Sequence, residues 1–211
     1  SFFATAGVIS RLNATPVFLD IDLESCNLDP EKFEAKLERM TPEERKRVKA
    51  LIVVHLYGQS AEMQPLLATA AKYGIPVIED AAQAIGAEYE LDGTPHKVGG
   101  LGHFGCFSFF PSKNLGGIGD GGIITVQDPK LAKILRIKRI HGEERKYHHG
   151  VIGGNFRLDP IQAAVIRVKL PHLEGWHRKR RENAHYYYQL IEEAALGQWI
   201  TPPCEQHPNS L

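Results

Sequence analysis

Short apolar segments alternate with segments of helical periodicity along most of this chain. Five runs rich in β-branched residues have the pattern of strands, at residues 16–21, 50–56, 75–79, 105–110 and 122–126. Each run is nearly continuous in apolar residues, which is typical of strands with helices over both sheet faces. The alternation predicts βαβ units and an α/β fold. We expect a three-layer αβα architecture, in which helices cover both faces of a mostly parallel sheet.

The segments between and after these runs have the spacing and the first-turn residues of helices. We predict helices at residues 30–40, 60–73, 129–141, 158–170 and 171–195. Ser60 is the predicted N-cap of the second of them. The last helix is long and polar and follows the end of the sheet pattern. We therefore predict a partial large α/β domain over residues 1–170, followed by a connecting helix and the start of a truncated small domain over residues 171–211.

Composition excludes several classes of protein. Lys+Arg and Asp+Glu number 25 each, so the net charge is zero and no global field attracts nucleic acid or anionic lipid. A mean hydropathy of −0.26 without a long apolar run does not favour a membrane protein. The three cysteines are widely spaced and odd in number, which fits a reducing cytoplasm. No signal peptide is visible, and both ends interrupt sequence patterns, so we expect a fragment of a longer protein.

Glycines are unusually dense over residues 99–122, and two stretches there match G-x-G-x-x-G. A dinucleotide-binding fingerprint needs these glycines to follow a strand and open a helix. Both stretches lead into strand-like runs instead, so neither predicts a Rossmann cofactor. The P-loop pattern G-x-x-x-x-G-K-[ST] does not occur in the sequence.

Two residues near these glycines indicate a more specific chemistry. Lys113 follows an apolar strand and stands among small residues, where a desolvated amine can serve as a nucleophile. Asp80 ends the strand run at 75–79, and ligands of open α/β sheets bind at the carboxyl ends of strands. Each has a plain alternative, since Lys113 could be an exposed charge and Asp80 a helix N-cap. Together they form the pair that pyridoxal phosphate needs: an amine for its aldehyde and a carboxylate for its ring nitrogen.

Four segments give the chain a specific resemblance to a known family. These are VVHLYGQ (53–59), IPVIEDAAQAIGA (75–87), FGCFSFFPSKNLGGIGDGG (104–122) and GGNFRLDPIQAAV (153–165). In this order they resemble the DegT/DnrJ/EryC1/StrS family of pyridoxal-phosphate-dependent sugar aminotransferases. The resemblance implies an aspartate aminotransferase-like fold of type I, with a seven-stranded, mostly parallel sheet in the large domain and a smaller C-terminal domain.

The resemblance also implies roles for individual residues. Lys113 matches the lysine that forms the internal aldimine with pyridoxal 5′-phosphate, and Asp80 matches the partner of its pyridinium nitrogen. Gln83 matches a residue beside the cofactor ring, Ser108 the phosphate-binding serine, and Phe2 an aromatic ring that stacks on the cofactor. Two further matches imply a homodimer with shared active sites: Asn155 would reach the cofactor phosphate of the neighbouring subunit, and Arg157 its substrate.

The expected reaction moves an amino group, with glutamate as the family's usual donor, to a keto sugar carried on a nucleotide diphosphate. Family members that are sugar dehydratases carry histidine where this chain has Lys113, and a catalytically silent regulator on the same fold is a second alternative. The family's upstream phosphate-binding segment would precede residue 1. We therefore expect the full gene product to be an enzyme and the 211-residue chain to bind cofactor poorly.

A metal hydrolase built on the histidines is a third alternative. His141, His148 and His149, with His103, lack the spacing of a zinc motif, and H-E-x-x-H does not occur in the sequence. Loop histidines are the better interpretation.

Overall fold

The computed structural model describes residues 2–207. Its helices are α1 (Phe3–Arg11), α2 (Pro30–Arg39), α3 (Pro42–Arg47), α4 (Met63–Lys72), α5 (Pro129–Lys138), α6 (Pro160–Lys169) and α7 (Leu173–Glu193). Its strands are β1 (Leu51–Val54), β2 (Val77–Asp80), β3 (Glu88–Leu91), β4 (Thr94–Lys97), β5 (Phe104–Ser108), β6 (Gly122–Val126), β7 (Glu143–Arg145) and β8 (His148–His149). Short 3₁₀ turns follow β1, α6 and α7.

The main sheet has the strand order β1-β2-β5-β6. Strands β1, β2 and β5 run parallel, and β6 pairs antiparallel with β5. The predicted α/β fold with a mostly parallel sheet is confirmed. Within residues 2–207 this sheet contains four strands and not the seven that the family resemblance implies. The pairs β3-β4 and β7-β8 form separate two-stranded ribbons.

The strand predicted at residues 16–21 is wrong. This segment forms no ladder, and its only β contact in the described chain is an isolated bridge between Ile21 and Leu28. Val17 and Phe18 are 57% and 77% exposed. An apolar run becomes a strand only where a neighbour accepts and donates its backbone hydrogen bonds, and no such neighbour lies beside this one among the described residues.

Helix starts were predictable where an acidic side chain could cap the backbone. The Asp29 carboxylate accepts hydrogen bonds from the N–H groups of Glu31 and Lys32, and Asp128 caps α5 in the same way. The predicted N-cap at Ser60 is wrong, because α4 begins at Met63 and the Ser60 hydroxyl donates to the Ala61 carbonyl instead.

The largest core cluster lies where α2 and α4 pack against one face of the sheet. Its buried members include Phe33 and Leu37 of α2, Leu66 of α4, and Val53 and Val77 of the sheet. The alternate strand residues, such as Ile78 and Asp80, face the other side and are only half-buried. The less covered face of the sheet therefore carries Asp80.

Helices α6 and α7 follow one another with a single 3₁₀ turn, Leu170–His172, between them. The predicted domain boundary at residues 170/171 falls on this turn and stays a prediction. Among residues 2–207, no helix combines the length and the apolar character needed to cross a membrane.

Candidate functional site

Asp80 and Ser108 lie on the same face of neighbouring parallel strands, each at a carboxyl end. The register pairs Asp80 with Cys106, and Ser108 is two residues further along β5. Because side chains alternate between the faces of a sheet, residues 80, 106 and 108 point to the same side. A step of two residues along one strand and one strand across separates the Cα atoms of Asp80 and Ser108 by about 8 Å.

The carboxylate of Asp80 is held by two donors, one on each oxygen. The Thr5 hydroxyl donates to Oδ2 at 2.7 Å, and the backbone N–H of Ala82 donates to Oδ1 at 3.2 Å. The backbone of Asp80 is fixed as well, since its carbonyl accepts a hydrogen bond from the N–H of His55. A carboxylate has about four lone-pair positions, so Asp80 can accept a further donor on this face.

Lys113 stands in a tight turn directly after β5. Its backbone N–H donates to the Phe110 carbonyl at 2.9 Å, and the N–H of Gly117 returns to the Phe109 carbonyl at 2.8 Å. The side chain is half-buried. Within the described residues, no hydrogen bond or ion pair engages its ammonium group. The turn therefore holds the backbone of Lys113 firmly and leaves its amine available.

Helix α6 holds the glycine loop that follows Lys113. The Gln162 side chain accepts a hydrogen bond from the N–H of Ile118 at 2.8 Å, and Lys169 donates to the Gly116 carbonyl at 2.6 Å. A Cβ at Gly117 or at Gly119 would lie 2.5 Å from the Gln162 amide group. Glycine at these positions lets the amide pack directly on the loop backbone, and a side chain at either position would displace it. Sequence reasoning missed this role of Gln162, although the residue stands inside the GGNFRLDPIQAAV segment.

A buried carboxylate–histidine hydrogen bond lies on the opposite face of β2. Glu79 and His55 are both fully buried, and His55 Nε2 lies 3.0 Å from Glu79 Oε2. The same carboxylate accepts the backbone N–H groups of Gly99, Leu101 and Gly102 at 2.5–2.8 Å. Sequence reasoning assigned no chemistry to His55. The pair of adjacent acids was the signal in the sequence that could have revealed this contact. Side chains alternate along a strand, so Glu79 and Asp80 must point to opposite faces of the sheet and cannot share one role.

The hydrogen bonds decide the charge and the tautomer of this pair. Burial by itself raises the pKa of Glu79, but hydrogen bonds from His55, Gly102 and Gly99 outweigh it, so the pKa lies below its usual value. His55 Nδ1 accepts the N–H of Ala61 at 3.1 Å, so the ring proton is on Nε2 and is donated to Glu79. This network ties the segment after β1 and the loop before β5 to strand β2.

The other predicted site residues are exposed. The Phe2 side chain is 74% exposed, and Gln83 is exposed in the turn after β2. Asn155 and Arg157 are exposed too, and Arg157 Nε donates to Asn155 Oδ1 at 2.8 Å. Within residues 2–207, none of these four makes a hydrogen bond to Asp80, Ser108 or Lys113.

The histidines do not form a metal centre. Among the described residues, no group of three or more His, Cys, Asp or Glu side chains could hold a metal ion. His103 Nδ1 accepts the N–H of Val77, and His149 Nδ1 bonds the His141 carbonyl. These are structural contacts of loop histidines.

The donor set on the less covered face fits pyridoxal phosphate. Asp80 offers a carboxylate with spare acceptor capacity and Ser108 a hydroxyl, and the amine of Lys113, in the turn after β5, has no partner among residues 2–207. The Ser108 oxygen accepts the N–H of Phe110 at 3.2 Å, so its own proton can be donated to an anion. An aldehyde, a pyridine nitrogen and a phosphate are the matching groups of this cofactor.

Comparison with known proteins identifies relatives over almost the entire chain. The model of the DegT/DnrJ/EryC1/StrS aminotransferase family matches residues 1–210. The chain is 49% identical over 202 residues to a protein named pleiotropic regulatory protein from Geobacillus stearothermophilus, covering 96% of this chain and 51% of that one. It is 46% identical to UDP-N-acetyl-3-dehydro-alpha-D-glucosamine 3-aminotransferase from Acidithiobacillus ferrooxidans, covering 90% and 49%.

A solved structure extends the similarity to three dimensions. NtdA from Bacillus subtilis, whose structure has the cofactor PMP bound, superimposes with a TM-score of 0.86 at 29% identity. The match covers 100% of this chain and 45% of NtdA. The chain spans about half the length of the curated relatives it matches.

Proposed function

Because the chain belongs to the DegT/DnrJ/EryC1/StrS aminotransferase family, we propose that its full gene product is a pyridoxal-phosphate-dependent aminotransferase acting on a nucleotide-linked keto sugar. One observation carries the proposal. Asp80 and Ser108 share a face at the carboxyl ends of adjacent strands, and Lys113 follows Ser108 with its amine unpaired among the described residues.

Each of these three groups has a defined task in the proposed reaction. When bound, pyridoxal phosphate supplies an electron-accepting ring that stabilises a carbanion beside the nitrogen being transferred. The amine of Lys113 would hold the cofactor through its aldehyde, and the same amine could act as the acid–base group that moves the proton of the amino donor. Asp80 accepts a hydrogen bond from the protonated ring nitrogen and balances its charge. Ser108 donates its hydroxyl proton to the phosphate.

Four other residues have proposed roles taken from the family pattern. Phe2 stacks on the ring and Gln83 lies beside its 3-hydroxyl group. Asn155 contacts the cofactor phosphate of a neighbouring subunit, and Arg157 faces the substrate of that subunit. The exposure of Ile152 and Phe156, 94% and 73%, supports a partner subunit against this segment. We propose a homodimer with shared active sites on this basis.

The amino donor and the acceptor are also proposals. Glutamate is the expected donor, and the acceptor is a keto sugar on a nucleotide diphosphate, as the name of the Acidithiobacillus relative implies for that protein. The cytoplasmic location expected from the unpaired cysteines stays a prediction. Cys26, Cys106 and Cys204 are all free thiols in the structure.

A regulatory role is the alternative with an observation in its favour, because a relative with 49% identity is named a pleiotropic regulatory protein. The available amine of Lys113 argues against a silent regulator. It also argues against a dehydratase, which has histidine at this position in the family pattern.

The test is amino transfer by the full gene product. UDP- and dTDP-linked keto sugars are supplied with glutamate and pyridoxal phosphate, and the release of 2-oxoglutarate is measured. We expect 2-oxoglutarate to be released with one of these sugars as the acceptor, and we expect no release from the Lys113→Ala variant. Lys130→Ala, which removes an exposed lysine of α5, is the matched control and should leave the rate unchanged. Cofactor binding without release on any sugar would favour the regulator.

A further inference from the structure

Helix α1 reaches the candidate site through one side chain. No residue of this helix is buried, so packing contributes little to its position. The Thr5 hydroxyl nevertheless makes a 2.7 Å hydrogen bond to Asp80 Oδ2, across 75 residues of sequence. Thr5 is half-buried. This polar contact therefore joins a helix without a fully buried residue to the acid that is proposed to face the cofactor ring.

The bond has a direct consequence for the orientation of Asp80. The Ala82 N–H holds Oδ1 and the Thr5 hydroxyl holds Oδ2, so rotation of the carboxylate would break at least one of the two bonds. The terminal torsion of an aspartate is otherwise broad and weakly restrained. Fixing it in advance removes the cost of ordering the carboxylate when a ligand binds.

The same turn carries a second predicted cofactor residue. The backbone N–H of Thr5 donates to the carbonyl of Phe2 at 3.1 Å, and Phe2 is the residue from which α1 starts. The contact between Thr5 and Asp80 thus also sets where the start of the helix lies relative to β2.

We propose that Thr5 is a positioning residue of the cofactor site. Its hydroxyl holds the Asp80 carboxylate in the orientation that accepts the protonated pyridine nitrogen. This inference rests on the proposed function, because it assumes that Asp80 faces the ring nitrogen. Thr5 itself need not touch the cofactor.

The experiment uses three variants of the full gene product. Thr5→Val removes the hydroxyl and keeps the branched shape, Thr5→Ser keeps the hydroxyl, and Thr15→Val changes an exposed threonine outside the helices as a control. Two properties are measured besides activity: the affinity for pyridoxal phosphate by absorbance titration, and the pH dependence of the bound cofactor's visible band. Circular dichroism checks folding.

We expect Thr5→Val to bind the cofactor about tenfold more weakly, as expected for a lost hydrogen bond to a charged group. The pH at which the visible band changes should move, because the charge of the ring nitrogen is less well balanced. The affinity of Thr5→Ser for the cofactor should stay within about twofold of the wild type, because serine keeps the hydroxyl donor.

Three results would overturn the inference. Wild-type affinity and wild-type pH dependence in Thr5→Val would show that the hydroxyl only anchors α1. A Thr5→Ser variant as impaired as Thr5→Val would show that shape matters and not the donor. If Thr5→Val fails to fold, the role of Thr5 is structural. Failure of the wild type itself to attach pyridoxal phosphate at Lys113 would instead reject the proposed function, and the inference with it.

Discussion

The buried carboxylate of Glu79 offers the sharpest test of how the segments around strand β2 are held in place. Glu79→Gln keeps the size of the side chain and replaces one acceptor oxygen with a donating NH₂ group. Each oxygen of Glu79 accepts two hydrogen bonds: Oε1 from Leu101 and Gly102, and Oε2 from His55 and Gly99. Whichever oxygen is replaced by the NH₂ group, the two donors that contacted that oxygen then face another donor and lose their acceptor.

The expected cost follows from these two lost partners. A buried donor left without an acceptor costs about 1–3 kcal/mol, so two of them give a loss of roughly 4 kcal/mol in the free energy of unfolding. His55 cannot relieve the conflict by changing tautomer, because its Nδ1 already accepts the N–H of Ala61. The loss is a large share of the roughly 5–15 kcal/mol that stabilises a typical domain.

The pH dependence of this loss has a definite sign. The pKa of Glu79 in the folded protein is below its usual value. The stabilisation by the ionised group is therefore fully present above the pKa of an unfolded glutamate, about 4.3, and is lost as the pH falls through the lower folded value. The difference between the wild type and Glu79→Gln should be largest near neutral pH and should shrink below about pH 4.

Equilibrium urea unfolding, followed by circular dichroism at pH 7 and pH 3.5, measures both effects. Glu90→Gln removes an exposed glutamate of β3 and is the control, with an expected change within about 0.5 kcal/mol. The reasoning is refuted if Glu79→Gln costs less than about 1 kcal/mol at pH 7. It is also refuted if the cost is the same at both pH values.

Three further predictions follow from other parts of the structure. Gly116→Ala places a Cβ against the backbone carbonyl of Pro111, which cannot swing aside, and should cost about 1–3 kcal/mol in urea unfolding; Gly175→Ala, whose added Cβ has no atom within 4 Å, is the control and should show no such loss. Asp80→Asn should leave urea unfolding within about 1 kcal/mol of the wild type while amino transfer falls at least about a hundredfold, since the ring nitrogen loses its counter-charge; equal rates would contradict this role. Burial lowers the pKa of His177, whose ring nitrogens have no hydrogen-bond partner among residues 2–207. Stability should therefore fall as the pH drops below about 6.5, and His177→Leu should remove that slope in urea titrations at pH 5 to 7.

Sequence reasoning predicted the local features that depend on neighbouring residues. The strands that became β1, β2, β5 and β6 have apolar β-branched or aromatic runs, and the helices predicted at residues 30–40 and 129–141 begin at Pro30 and Pro129. Placing Asp80 at the carboxyl end of a strand needed only the pattern of that strand and the topology of parallel sheets.

Features that depend on contacts distant in sequence were not predictable. The run at residues 16–21 has strand composition, but pairing decides whether a strand forms. The links from Thr5 to Asp80 and from Gln162 to Ile118 span 75 and 44 residues, and no local pattern encodes either. The role of His55 could be predicted only in part. The sequence places a histidine after an apolar strand, but its function becomes clear only when the buried Glu79 is found beside it.

The central claim is that the amine of Lys113 holds pyridoxal phosphate. Borohydride reduction of the full gene product with the cofactor, followed by peptide mass mapping, tests it most directly. The account predicts one phosphopyridoxyl group on the peptide that contains Lys113, and none after Lys113→Ala. A stable adduct on another lysine, or no adduct at cofactor concentrations that saturate the visible band, would contradict it.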